Sequence, residues 1–516
     1  MLLEMEHVTK RFGDVVANRD INLSVEAGEV HALLGENGAG KTTLMNILNG
    51  MYTADEGTIR LNGEKVVIHS ARDAIARGIG MVHQHFMLVP ALTVIENVVL
   101  GLKENKHFLD LRAAADRLSD LGDKFGLSVD PWAKVADLSI GQQQRVEILK
   151  ALYRNASLLI LDEPTAVLTP QEVDSLFAMI RALTQEGLTI IFISHKLMEI
   201  LRICDRCTVL RRGEVVQTMA IADITDKQQL ANMMVGRQVD LRVEKPAATP
   251  GDTVLSLDDV CYTDRGGVQR VKNVSFDVCR GEILGICGID GSGQSQLIEC
   301  ITGLAHATQG RITLNGVSSG RMQTRDILGH GVSHIPEDRH RMGMVGRLSV
   351  NENLLLMTSA RREFLFRGFY RRQVISAYNQ KLCEAYQVKT QGVDEPMGHL
   401  SGGNQQKVIV AREMDRQPKL LIAMHPNRGL DIGSTKYIQG KIVEARNDGA
   451  AVLLVSGDLD EIMELSDRIA VMYNGQIMAI MPQQAATFEK LGLLMAGVNP
   501  EEVDRQTVGH GGSNYE

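Results

Sequence analysis

The two halves of this chain repeat one another, and a repeat of this length confines the fold to tandem copies of one domain type. GTIRLNG at 57–63 returns as GRITLNG at 310–316, and LTVIENVVLG at 92–101 returns as LSVNENLLLM at 348–357. The opening MLLEMEHVTKRF is similar to TVLSLDDVCYTD, which starts at Thr253. Farther along each half the spacing is constant: 424 minus 162 and 401 minus 139 both give 262. Solenoid repeats run roughly 20 to 50 residues, so this period marks two tandem domains. The expected organisation is a first domain over 1–242, a linker at 243–252 (VEKPAATPGD), a second domain over 253–498 and a polar tail over 499–516.

Composition narrows the classes of partner. Apolar residues make up 44% of the 516 and charged residues 23%, ordinary values for a globular chain. The net charge of −8, with no dense basic run, argues against nucleic acid as the main partner, because phosphate binding draws on clustered Lys and Arg. Seven scattered cysteines fit a reducing compartment better than a disulfide framework. Cys204 and Cys207 form one CxxC, but no second pair completes a zinc site, and the matching positions of the other half are Ser466 and Ile469; both cysteines are expected to be structural. No leader is evident, and no apolar run reaches the 18 or so residues that cross a bilayer.

Within each half, strands alternate with helices. GEVHALLG (28–35), SLLILDEP (157–164) and LTIIFISH (188–195) are continuous apolar runs of strand length. Strands buried on both faces belong to parallel sheets covered by helices, so the fold class is α/β. The first of these runs leads into GENGAGKT, residues 35–42, a complete GxxxxGK[ST] between a strand and a helix. Such glycines let backbone N–H groups close around phosphates, and the helix N-terminus adds partial positive charge. Lys41 then reaches the β and γ oxygens, and the Thr42 hydroxyl can ligate Mg²⁺. The loop is expected to bind a nucleoside triphosphate.

Gly35 to Thr42, then Gln84 in MVHQHF, LSIGQQQ (138–144), LLILDEPT (158–165) and His195 in ISH, taken in that order, resemble the ATP-binding cassette (ABC) ATPases. The resemblance covers nearly the whole chain twice. PEDR (336–339) and LSGGNQQK (400–407) make it similar to the energy-coupling subunits of bacterial importers for simple sugars and nucleosides. The resemblance implies two tandem P-loop NTPase domains, each with a mostly parallel sheet core, an antiparallel β subdomain and a helical signature subdomain. It implies ATP and Mg²⁺ as cofactors. ATP would be held by Gly35, Glu36, Asn37, Gly38, Ala39, Gly40, Lys41, Thr42 and Thr43, with Phe12 stacked on adenine. Thr42, Gln84 and Asp162 would serve the metal, Glu163 would be the general base or water positioner, and His195 would contact the γ-phosphate.

The second half departs from this pattern at its nucleotide-facing positions. Its phosphate loop, GIDGSGQS (288–295), has Gln294 for the Lys; Met424 and His425 stand for the two carboxylates, Glu337 for Gln84 and Gly457 for His195. Its signature is regular and its following loop keeps Asp431, whereas the first half has Ile140 in its signature and Thr169 in place of that Asp. In the family, cassettes pair head to tail. The resemblance therefore implies that Ser401, Gly402, Gly403 and Asp431 complete the site of the intact first loop, and that the defects gather in the other site.

The function this implies is an ATP-hydrolysing subunit of an importer for nucleosides or simple sugars, with nucleosides favoured by the likeness of HFMLVP and IPEDRHRMG to the nucleoside members. Its partners would be transmembrane permease subunits and, through them, a substrate-binding protein. It would sit peripherally on the cytoplasmic face of the membrane, with the segment from His85 to Gly101 meeting a permease helix. The alternative is a soluble twin-cassette factor acting on ribosomes or DNA, which the short linker and the acidic balance disfavour.

Overall fold

The computed structural model describes residues 1–503, apart from 84–85, 103–109, 166–167, 195, 237, 239–242, 290 and 321. It divides into two compact units, Met1–Val239 and Asp240–Glu516.

The first unit opens with β1 (Leu3–Phe12) and β2 (Val15–Val25), followed by β3 (Val30–Leu34), β4 (Glu56–Leu61), β5 (Glu64–Val66) and β6 (Ile79–Val82). Then come β7 (Leu158–Asp162), β8 (Thr189–Ile193), β9 (Arg206–Arg211) and β10 (Glu214–Ala220). They form two sheets. An antiparallel one has the order β2-β1-β4-β5, and a six-stranded one has the order β10-β9-β3-β8-β7-β6, parallel except for β10. Every residue of β3 and β8 is buried, as expected of central strands covered on both faces.

The second unit repeats this plan with β11 (Thr253–Thr263), β12 (Gln269–Cys279), β13 (Ile283–Cys287), β14 (Gln309–Leu314), β15 (Val317–Ser318) and β16 (Val332–Ile335). It adds a short hairpin, β17 (Leu365–Phe366) and β18 (Phe369–Tyr370), before β19 (Leu420–Met424), β20 (Ala451–Val455), β21 (Arg468–Tyr473) and β22 (Gln476–Pro482). Its large sheet has the order β16-β19-β20-β13-β21-β22, the same succession as in the first unit.

The repeated motifs have repeated structural tasks. In LTVIENVVLG, Thr93 and Glu96 cap a short helix reciprocally, as do Ser349 and Glu352 in LSVNENLLLM. The buried Asn97 amide then pins the preceding loop, accepting from Val89 N–H at 2.7 Å and donating to its carbonyl at 3.1 Å; Asn353 does the same to Val345 at 2.9 and 3.0 Å. A buried side chain that satisfies both backbone groups of one residue fixes the loop's path.

The stretch 243–252 is tied to the second unit. Lys245 lies 3.2 Å from Asp467, and the Arg446 guanidinium, 2% exposed, donates to the Pro246 carbonyl at 2.9 Å and to Asp467 at 2.8 Å. Asp467 also accepts from the Ile283 N–H at the start of β13. Arg446→Ala leaves that carboxylate only partly compensated. It should lower the unfolding free energy of the second unit by about 3 kcal/mol, read by denaturant titration of the full chain, with the first unit's transition unchanged.

Candidate functional site

The phosphate loop of the first unit joins β3 to the helix Lys41–Leu48. Its shape depends on two glycines. A Cβ on Gly35 would stand 2.5 Å from the Leu210 carbonyl oxygen in β9, and one on Gly40, at φ 99°, would stand 2.5 Å from the carbonyl oxygen of Ala17. Neither position accepts a side chain. Asn18 of β2 reaches over and donates to the Gly40 carbonyl at 3.1 Å.

Lys41 opens the helix with its side chain turned back over the loop, donating to the carbonyls of Gly35 at 2.6 Å and Glu36 at 3.1 Å. Only 9% exposed, it is pulled by burial toward losing its proton, while Glu163, Asp162 and Glu36 favour the charged form. Asp162 ends β7, the second strand away from β3 in the sheet order β3-β8-β7. Burial, then the neighbouring Glu163, pushes its carboxyl above the ordinary value, against Lys41 and His83. Two adjacent carboxylates, one of which raises the proton affinity of Asp162, beside a buried ammonium form a site that gains by taking up a cation. With the Thr42 hydroxyl at the helix start, these residues fit Mg²⁺.

Glu163 adopts the left-handed region, φ 48°, and donates its N–H to the Ile193 carbonyl of β8 at 2.9 Å. A non-glycine residue there is strained unless its surroundings impose it. The next residue is held as well: the Gln144 amide Nε2 donates to the Pro164 carbonyl at 2.7 Å from within the helix Ile140–Tyr153. LSIGQQQ thus braces the turn after β7. Thr165 and Ser194 both donate to the Glu199 carboxylate, at 2.7 and 3.0 Å, which ties that turn to the end of β8. Sequence reasoning passed over Glu199 and Gln144; their recurrence as Glu461 and Gln406, 262 residues on, was the available signal.

Phe12 ends β1 with its ring 43% exposed and set edge-on to Tyr52 at 5.1 Å. Gln84 and His195, expected to sense the metal and the γ-phosphate, lie outside the described residues. Cys204 and Cys207 are buried; burial pushes the Cys207 thiol up to about 11 and Cys204 well above its ordinary value. That suits inert packing groups.

The second unit keeps this frame with different chemistry. His425 takes the left-handed conformation of Glu163, φ 43°, and its N–H meets the Val455 carbonyl at 2.8 Å; Gln406 donates to the Pro426 carbonyl at 2.8 Å. Gln294 Nε2 points back to the loop, 3.3 Å from the Ile289 carbonyl, as Lys41 does in the first. Glu337 accepts from Ser295 at 3.4 Å and is held by Arg428 at 2.7 Å. One carboxylate already paired with a guanidinium does not reproduce the acidic pair of the first unit, so these residues fit Mg²⁺ poorly. Behind them Glu461, which accepts from Ser456 at 2.6 Å and from Asn427, is pushed by burial up to about 8.

The signature of the second unit starts the helix Gly402–Met414, with Ser401 as its N-cap accepting from the Asn404 amide at 2.9 Å. A side chain on Gly403 would collide with Ser434, and one on Gly402 with the Arg339 guanidinium. Asp431 caps the helix Ile432–Asn447, accepting from the Ser434 N–H at 2.7 Å and its hydroxyl at 2.6 Å. In the first unit Thr169 holds that cap and Ile140 occupies the place of Gly402.

Comparison with known proteins bears on both halves. The ABC transporter family pattern matches residues 18–166 and 271–426. The nucleoside import ATP-binding protein NupA of Lactococcus lactis is 48% identical over 502 residues, 97% of this chain and 99% of its own. The guanosine import ATP-binding protein NupO of Bacillus subtilis is 48% identical over 506 residues, 98% and 99%. The ribose import ATP-binding protein RbsA of Halalkalibacterium halodurans is 37% identical over 498 residues, 95% and 97%. Among solved structures, an archaeal ribosome recycling factor in complex with a stalk protein superposes with a TM-score of 0.62 over 95% of this chain and 92% of that one. At 19% identity that likeness extends to fold alone, and the far closer import relatives favour the importer over the ribosome factor. The chain belongs to the ABC transporter family, as an ATP-binding protein and ATPase with two tandem cassettes.

Proposed function

We propose that this chain is the energy-coupling subunit of a nucleoside importer, peripheral to the cytoplasmic face of the membrane, driving transmembrane permease subunits fed by a substrate-binding protein. Identity of 48% along nearly the full length of two relatives named for nucleoside and guanosine import supports this substrate class. Import ATP-binding proteins of this family act with membrane permease components, and no helix among the described residues is long and apolar enough to cross a membrane. A cleft of about 170 Å³ beside the described part of the His85–Gly101 segment, lined by Met81, His83, Met87, Glu147, Lys150 and Arg154, offers the permease a seat in the first unit. Met87, 64% exposed, has its N–H fixed by Glu147 at 2.7 Å and its carbonyl by Lys150 at 3.2 Å.

The observation that carries the mechanism is the half-buried acidic pair beside the buried Lys41, present in the first unit and replaced by Met424 and His425 in the second. Gly35 to Thr43 wrap the triphosphate, Lys41 neutralises its terminal oxygens, and Thr42, Asp162 and Gln84 hold Mg²⁺, which supplies further charge neutralisation when bound. Glu163, fixed at the turn after β7, accepts the proton of the attacking water, and His195 contacts the γ-phosphate. Phe12 and its partner Tyr52 receive the adenine. Turnover also draws on Ser401, Gly402, Gly403 and Asp431, because the regular signature belongs to the half that has lost its own acidic pair.

Glu163→Gln should leave ATP binding intact and slow steady-state phosphate release by about 10² to 10⁴, equivalent to about 3–5 kcal/mol of barrier. Turnover near wild type would place the base elsewhere. Ser401→Arg should reduce hydrolysis, assayed with the permease present, about as severely as Glu163→Gln, and Ser139→Arg much less. The opposite order would show that each half works with its own signature.

A further inference from the structure

The hairpin β17–β18 has no counterpart among the described strands of the first unit, and the import reading gives it no task. Its sequence, RREFLFRGFYRR (361–372), places five arginines and one glutamate around four aromatic residues in a chain of net charge −8. The base is rooted. Phe364 is 1% exposed and packs edge-on against Tyr378 at 5.3 Å, while Arg361 pairs with Asp415 at 2.8 Å and donates to the Tyr378 hydroxyl at 2.8 Å.

The tip is the reverse. Arg367 and Gly368 both have positive φ, 51° and 85°, as a two-residue turn of this hand requires. The turn sets Phe366 directly opposite Phe369, so the two rings share one face. They are 63% and 79% exposed, with Tyr370 beside them at 51%. Arg362, Arg367 and Arg371 are exposed and have no ion-pair partner among the described residues; the Arg367 guanidinium lies 5.5 Å from the Phe366 ring centre.

We infer that this hairpin is a lipid-binding element that inserts Phe366 and Phe369 into the interface of an anionic membrane while its arginines engage phospholipid headgroups. Three features favour a lipid surface over a protein pocket: the aromatic pair is exposed, its strands are anchored through Phe364 and Arg361, and arginines without ion-pair partners among the described residues lie beside it. Phe side chains of interfacial elements bury at the boundary of headgroups and acyl chains, Tyr settles at the headgroup level, and each basic residue near an anionic surface adds its own increment of attraction. One short hairpin gives reversible attachment only, as one weak membrane signal does elsewhere. The inference goes beyond the import reading, since lipid binding by the isolated chain needs no permease.

The test is co-sedimentation of the purified full chain with vesicles of 30% phosphatidylglycerol in phosphatidylcholine, compared with pure phosphatidylcholine, at low and at moderate salt. Binding should favour the anionic vesicles and weaken with salt. Arg367→Gln with Arg371→Gln should lower partitioning by about thirtyfold, and Phe366→Ser with Phe369→Ser by about tenfold or more. ATPase activity in detergent-free solution should stay at the wild-type level in both variants, which confirms that they fold. Wild-type protein that ignores anionic vesicles, or variants that bind them as wild type does, would overturn the inference. So would variants that keep vesicle binding but no longer co-purify with the permease, which would place the hairpin on a protein.

Discussion

Burial of a parallel sheet on both faces is the constraint from which the rest of each unit follows. β3, β8 and β7 are mostly apolar and buried almost throughout, so helices cover both their faces, and crossover connections bring their carboxyl ends to one edge. That edge is where the phosphate loop leaves β3, where Asp162 ends β7 and where the Ile193 carbonyl of β8 accepts from Glu163. Polar groups meet there because the strands stop there, which is the usual place for a ligand in an open α/β sheet.

The two units show which parts of such a site are scaffold and which are chemistry. The left-handed turn after the acidic strand persists with His425 in place of Glu163, and the glutamine that braces it persists as Gln406. The half-buried Glu199 behind the turn has its counterpart in the buried Glu461, and the glycine pressed by the neighbouring strand's carbonyl persists as Gly288. These are backbone requirements, and losing them would expose or orphan buried polar groups. Lys41, Asp162 and Glu163 are instead charges held partly out of water, a cost that their mutual attraction offsets in part and that a nucleotide and metal, in the function proposed, would offset further. The second unit no longer carries that cost: Gln294 and Met424 are neutral, and Glu337 is matched by Arg428.

Glycine at the signature has a second reason besides close approach to a ligand. In the second unit Gly403 lets its helix pack against Ser434 and Asp431, and Gly141 does the same against Glu172 in the first. The Gly402 position differs. Arg339 of the PEDR segment lies over it in the second unit, whereas Ile140 fills its counterpart in the first. The packing glycine is shared by both halves, and the position beside it has diverged.

Much of this protein was legible in the sequence. The 262-residue spacing gave two domains, because a fold duplicated whole keeps its motif order. The run GENGAGKT pointed to a glycine-shaped loop between a strand and a helix, because that shape depends on local backbone, and β3 and the helix Lys41–Leu48 flank it. The replacement of Asp162 and Glu163 by Met424 and His425 could likewise be read by alignment alone. Tertiary structure decided what depends on residues distant in sequence. That Gln144 holds the Pro164 carbonyl, that Glu199 gathers Thr165 and Ser194, and that Arg428 neutralises Glu337 across 91 positions are long-range pairings. No periodicity or spacing specifies them, since any of these polar residues could have faced water. The exposed aromatic hairpin at 365–370 was equally hidden: Phe and Tyr in sequence predict burial, and only the fold shows Phe364 inside while Phe366 and Phe369 remain outside.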